Sequence, residues 1–325
     1  MTSTDNDKRV NPFTVVHYDA RPLRPLSPHE FPEHRLYYVD LDHSETEYQR
    51  FTRHFGTLPM PLEAAQPVLV TGDSGCGKSA LLRRCADWLQ QRLNQPDAGL
   101  HCEIIDVAWQ LEDTEQLPIQ TRVDLVADSL CPQLERRGLV DPSVFVELHQ
   151  LRDRRFRDRA NRLYEVLSTE LRPDRAVIIL LPSVRDLPAE VVKYIMYPLE
   201  RVFFFMESAL LSEDDLKWIM RRCEKVIAPI HLQVGPLNEG DAVRFVLDRF
   251  NRHAEQARFP RMSEDDLRTL AAIKWESVAT LQRLFHAAYQ RRLENELRYD
   301  DGQLVTLAEL GQTFDWYGTD HGTAS

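Results

Sequence analysis

Residues Gly72-Asp73-Ser74-Gly75-Cys76-Gly77-Lys78-Ser79 match the phosphate-binding loop pattern G-x-x-x-x-G-K-S/T at every fixed position. The flanks suit the motif. Pro67-Val68-Leu69-Val70-Thr71 is a short apolar, β-branched run that predicts a buried strand. From Lys78 to Leu93 the apolar residues Leu81, Leu82, Cys85, Trp88, Leu89 and Leu93 recur at helical spacing. Strand, glycine loop and helix is the order that the chemistry requires. Glycines let backbone N–H groups turn toward a phosphate, and the new helix points its positive end at the same place. The expected phosphate contacts run from Gly72 through Ser79 to Ala80. Lys78 is expected to reach the β- and γ-phosphates, and the Ser79 hydroxyl to ligate Mg²⁺.

The rest of the composition excludes several alternatives. With 325 residues, 43% hydrophobic and 28% charged, the chain can bury one large or two modest cores. Its longest apolar runs, 176–181 and 202–206, suit buried strands and fall far short of the roughly 18 residues that span a bilayer. No membrane association is therefore expected. The N-terminus is polar and acidic, unlike a secretory signal, and the five cysteines form no C-x-x-C pair. Both point to a reducing, cytoplasmic setting. The histidines are scattered without a zinc-binding spacing.

A net charge of −11 argues against a protein that coats nucleic acid through a basic surface. The segment Arg152-Asp153-Arg154-Arg155-Phe156-Arg157-Asp158-Arg159 is the richest local basic stretch. Its alternating signs read as a solvated, salt-bridged helix, with a nucleic-acid or partner contact as the competing reading.

Four regions are expected. Residues 1–34 form a proline-rich, extended arm. Residues 35–235 alternate strands near 67–71, 101–107, 176–181, 202–206 and 226–234 with helices, which predicts an α/β domain: a parallel five-stranded sheet covered on both faces. Pro229 places the last strand at an edge or a bend. Ser44-Glu45-Thr46-Glu47 reads as a capping box for a first helix. Residues 236–316 carry helical signals only, with Asn238 and Ser263 as caps, and predict an all-α lid. Residues 317–325 read as a flexible tail.

This order of parts resembles the AAA+ class of P-loop ATPases, in particular the branch shared by STAND-type signalling ATPases, initiator-like loaders and transposition regulators. The likeness rests on Gly72–Leu82, on the Pro236-Leu237 junction before a capped helix, and on Val278–Leu284, where such proteins carry a lid arginine. It covers residues 35–316. The resemblance implies ATP and Mg²⁺ as ligands. It also implies a polar contact to the γ-phosphate from Glu207 or Ser208 at the end of the fourth strand. A further implication is self-oligomerisation, with Arg221 and Arg222 preceding the fifth strand as arginine fingers that act catalytically on a neighbour's nucleotide.

The sequence also departs from that pattern. The family's third strand ends in Asp-Glu, where this chain has Leu181 and Pro182, followed by Ser183. Losing the general base costs about 10²–10⁴ in hydrolysis rate. Asp106, at the end of the second strand, and Glu207 are the carboxylates available to fill the gap, so the candidate catalytic set is Lys78, Asp106, Glu207, Arg221 and Arg222. The lid-arginine position falls on Ala279, with Arg283 one turn later.

No Asn-Lys-x-Asp guanine motif occurs, so adenine is the expected base. Tyr37-Tyr38-Val39-Asp40 stands where the family cradles it; the two tyrosines read equally as core residues. Two functional classes follow. One is a nucleotide-controlled switch that binds protein partners and turns ATP over slowly. The other is a DNA-associated loader or regulator that assembles as a ring or filament. A small-molecule kinase with Asp106 as base is the third and weakest reading.

Overall fold

A computed structural model describes residues 9–56 except 20, 65–108, 117–146 except 145, 157–184, 188–196, 199–209, 211–224, 226–254, 257–295, 299–300 and 302–312. The basic stretch from Arg152 lies outside the described residues apart from the backbone of 157–159, and the tail from 317 lies outside them entirely.

Along the chain, a 3₁₀ turn at Pro32–Tyr37 precedes α1 (Asp42–Phe55), β1 (Val68–Thr71), α2 (Lys78–Leu93), β2 (His101–Asp106) and α3 (Ile119–Arg136). Then come α4 (Arg157–Glu170), β3 (Arg175–Leu180), α5 (Pro188–Ile195), β4 (Val202–Ser208), α6 (Glu213–Cys223) and β5 (Ile230–Gln233). The last three helices, α7 (Asp241–His253), α8 (Glu264–Ala272) and α9 (Val278–Glu294), form the lid.

All strand pairs are parallel, in the order β2-β3-β4-β1-β5. The predicted α/β sheet domain and all-α lid are both present. Successive side chains of a strand point to opposite faces, and β3 shows the result. Val177 and Ile179 enter the core under α3, α4 and α5, while Ala176, Ile178 and Leu180 enter the core under α1 and α2. Phe204 and its neighbours Phe203 and Phe205 divide in the same way on β4. A strand buried on both faces reads as a continuous apolar run. The buried Arg122–Glu190 pair, 2.9 Å apart, ties α3 to α5, and Arg122 also donates to the Ser183 carbonyl.

Three boundaries differ from expectation, each for a local reason. Helix α1 starts at Asp42 rather than at the Ser44 box, because Leu41 is buried in the lid core and fixes the chain just before it. Ser44 donates to the Leu41 carbonyl, and Glu47 accepts from the Gln233 amide instead of closing the box. Helix α7 is preceded by Gly240 in the left-handed region, and Asp241 reaches back to the Asn238 amide. Strand β5 is shorter than 226–234; it lies at the sheet edge, as Pro229 suggests, and pairs only with β1.

The proline-rich arm is packed from residue 9 onward. Phe13 is fully buried in the lid core, with ring centroids 4.8 Å from Phe285, 5.3 Å from Tyr289 and 5.9 Å from Phe250. Asn11 donates to the His286 carbonyl, and Tyr299 donates to that of Val10. Further on, buried His34 accepts from the Ser27 amide at Nδ1, which leaves the Nε2–H to donate to the Val16 carbonyl at 2.8 Å. Arg35 then grips Asp87 of α2 with two hydrogen bonds of 2.9 and 2.7 Å. The arm thus runs from the lid to the sheet domain.

Candidate functional site

The glycine loop leaves the carboxyl end of β1 and enters α2 through Gly77, whose φ of 87° lies in the left-handed region. The helix has no side-chain cap at that end. Uncapped amide groups and the helix dipole together make an anion site. The loop is also pressed against its neighbours. A Cβ on Gly75 would lie 2.8 Å from the Ser277 hydroxyl, and the Ala279 amide donates to the Gly75 carbonyl at 3.1 Å. Cys76 is buried, and its thiol approaches the Glu276 carbonyl. The lid therefore rests directly on the phosphate loop.

Lys78 donates to the Asp73 carbonyl across the loop at 2.7 Å. Burial lowers its pKa from the ordinary range; Glu207, Cys76 and Asp73 oppose that shift. Ser79 donates to Glu207 Oε1 at 2.8 Å. The register explains the meeting: β1 and β4 are neighbours, with Val70 opposite Glu207 and Thr71 opposite Ser208. Glu207 Oε2 and the Ser208 hydroxyl are buried without a hydrogen-bond partner among the described residues. A buried carboxylate oxygen without a partner is costly.

Asp73 and Ser74 are exposed at the loop tip. Gly72 packs on Val234, whose carbonyl a Cβ would strike. Ala80 lines the cleft and accepts from the Tyr38 hydroxyl. After β3, Leu181 is buried, and the carbonyl of Ser183 is taken by Arg122, so no carboxylate stands there.

Asp106 ends β2, at the far edge of the sheet from β1. Its carboxylate accepts from Arg83 of α2 at 3.0 Å and from the Ala108 amide at 2.9 Å. The structure therefore brings Lys78, Ser79 and Glu207 together and gives Asp106 to Arg83. Arg221 and Arg222 are exposed in the last turn of α6, where the helix dipole favours cations.

Next to Asp106, both ring nitrogens of His29 are shielded without a partner. His29, Glu30 and Asp106 each bring a donor atom to within 4.8 Å of the others. Arg83 already occupies Asp106, and its charge opposes a cation there. Burial, aided by Arg83 and Arg137 and opposed by Asp106 and Asp87, pushes the His29 pKa down to about 4 from 6.5. The unfolded chain binds this proton below about pH 6.5 and the folded chain only near 4, so stability falls as pH drops through that window. Urea titrations at pH 7 and pH 5 should show wild type losing about 1–2 kcal/mol more than His29→Gln between the two. Equal losses would exclude His29 as the cause.

A cleft of about 700 Å³ opens beside the loop, between the arm, the β5–lid junction and α9. Tyr37, Tyr38, Val39, Leu237 and Val278 line it. Tyr37 is buried, and burial raises the Tyr38 hydroxyl pKa well above 10.0. A second cleft, on the Lys78 side, is walled by Pro22–Leu26 of the arm. Both clefts share Arg249 of α7, a residue that no motif marks.

No protein-family model matches the chain, and no curated protein matches it in sequence. Several solved structures are similar in fold. The ORC1 protein of Aeropyrum pernix, in complex with DNA, is 16% identical with a TM-score of 0.56 over 91% of this chain and 70% of its own. The Aeropyrum pernix ORC2 protein in its ADPNP–ADP complexes is 12% identical, with a TM-score of 0.55 over 86% and 71%. Cdc6p of Pyrobaculum aerophilum is 15% identical, with a TM-score of 0.51 over 80% of this chain and 65% of its own. At such identities the likeness is one of fold. The sheet order, the glycine loop and the helical lid give this chain the fold of AAA+ P-loop proteins of the initiator type.

Proposed function

We propose that the chain binds ATP with a divalent cation between sheet domain and lid, and acts as a nucleotide-controlled conformational switch for protein partners. The observation that best supports this is the trio at the foot of the uncapped helix α2. Lys78 offers a charge, Ser79 a hydroxyl, and Glu207 a buried carboxylate whose Oε2 has no partner among the described residues.

These donors fit Mg²⁺, which prefers hard oxygen ligands, and Ser79 with Glu207 would hold it. When bound, such a cation neutralises phosphate charge. The protein's own groups do the rest. Lys78 and the α2 amides bind and orient the phosphates. Glu207 keeps the Ser79 hydroxyl turned toward the strand end. Leu181 and Pro182 cannot accept a proton, and Glu207 is engaged by Ser79, so no free base faces the site and hydrolysis is slow. The loop touches the lid at Gly75–Ala279, so a ligand that grips both sides favours the closed arrangement. Exposed Arg221 and Arg222 suit contact with a second copy.

The test is ATP affinity with and without Mg²⁺, in wild type and Glu207→Ala. Mg²⁺ should strengthen binding to wild type, and the variant should lose about 10–100-fold of that gain. An unchanged Mg²⁺ effect in the variant would remove Glu207 from the site.

A DNA-associated ATPase is the second reading, favoured by the DNA bound to the ORC1 structure. Turnover measured with and without double-stranded DNA separates the two. Strong stimulation at moderate salt supports the DNA reading; turnover unaffected by DNA supports the switch.

A further inference from the structure

Helix α7 buries one stripe: Ala242, Phe245, Val246, Arg249 and Phe250. Four of these are apolar. The fifth is an arginine with 4% of its surface exposed. Its Nε and Nη1 have no hydrogen-bond partner among the described residues. An ion pair to Asp248 exists, but at 3.9 Å. Asp248 is already held by Arg252 through bonds of 2.6 and 2.7 Å. The rest of the Arg249 environment is aromatic: the guanidinium carbon lies 5.1 Å from the Tyr37 ring centroid and 5.0 Å from that of Phe245. Burial lowers its pKa to about 10 from 12.5. Cation–π contacts offset only part of the cost of a buried charge.

What the guanidinium faces matters more. Arg249 lines the base-side cleft together with Tyr38 and Val278, and the loop-side cleft together with Lys78 and Ser79. It therefore stands at the wall the two clefts share, across from the glycine loop. The third lid helix supplies no cation there. Ala279 lines the loop-side cleft and carries no charge, and Arg283 is exposed and lines neither cleft.

We propose that Arg249, on the first lid helix, is the lid's contact to the phosphate chain of the bound nucleotide. A planar guanidinium with free N–H groups matches phosphate oxygens, and a desolvated site strengthens the pairing. The phosphate supplies the partners that Arg249 lacks, so ligand binding is tied to lid closure through one residue. This assignment rests on the nucleotide reading above.

The test uses the full chain as wild type, Arg249→Met and Arg249→Lys. Affinities for ATP and, by competition, for adenosine are measured alongside melting of the nucleotide-free proteins. Arg249→Met should lose ATP affinity by about 30–1,000-fold while adenosine binding changes less than about threefold. Arg249→Lys should keep part of the preference for ATP over adenosine. The melting temperature of the free Arg249→Met protein should stay the same or rise, since a buried unpaired charge is removed. ATP affinity unchanged in Arg249→Met, or an equal loss for adenosine and ATP, would overturn the assignment. If Arg249→Met does not fold, Arg249→Lys decides: full ATP affinity together with unchanged adenosine binding overturns it. A wild type that binds no ATP refutes the nucleotide reading instead.

Discussion

Phe13→Ala should destabilise the protein by about 3–5 kcal/mol, the cost of removing a fully buried aromatic ring. Phe13 belongs to the arm by sequence and to the lid core by structure. Its side chain has no exposed surface and meets the rings of Phe245, Phe250, Phe285 and Tyr289. The adjoining backbone is fixed as well, because Asn11 donates to His286 and Gln282 donates to the Phe13 carbonyl. The truncated side chain leaves a cavity that a four-ring cluster cannot easily close. The loss should appear in urea titration of the full chain as a lower midpoint, with the lid's aromatic signals moving first. A loss below about 1 kcal/mol would mean that the arm does not complete the lid core.

The sheet and its loop were legible because their signals are local. Val68–Thr71, Ala176–Leu181 and Val202–Met206 are apolar runs that only a two-faced burial explains, and the glycine loop has a fixed spacing. The arm was less legible. Prolines announce an extended chain, but nothing in Asn11-Pro12-Phe13 says that it docks on residues some 270 positions away. The pairing of Ser79 with Glu207 follows from β1 lying beside β4, which is a fact of topology rather than spacing. The same topology puts Asp106 at the other edge, next to Arg83, where a carboxylate at a strand end looked available. Capping was misread at Ser44 and Asn238 because burial of Leu41 and a left-handed Gly240 set the helix starts instead. Arg249 did leave a trace: a charge on the apolar stripe of α7, three residues after Val246 and four after Phe245. Read as a flaw in amphipathicity, such a residue is a candidate site.

Lys78→Ala should weaken ATP binding by about 2–5 kcal/mol, or about 30- to 5,000-fold. The side chain is mostly buried at the mouth of α2, so its charge acts through little water. Its hydrogen bond to the Asp73 carbonyl spans the loop, and an ammonium there stands beside the helix end that attracts phosphate. The same substitution leaves both sheet cores intact, since neither contains Lys78, and melting should confirm a folded variant.

Calorimetric titration of the folded wild-type chain with Mg²⁺·ATP, repeated on Lys78→Ala, tests whether this loop holds a nucleotide's phosphates. Saturable heat with one nucleotide per chain in wild type, largely lost in the variant, is the predicted result. Absence of binding to the wild type for any nucleoside triphosphate, or equal binding by both proteins, would contradict it.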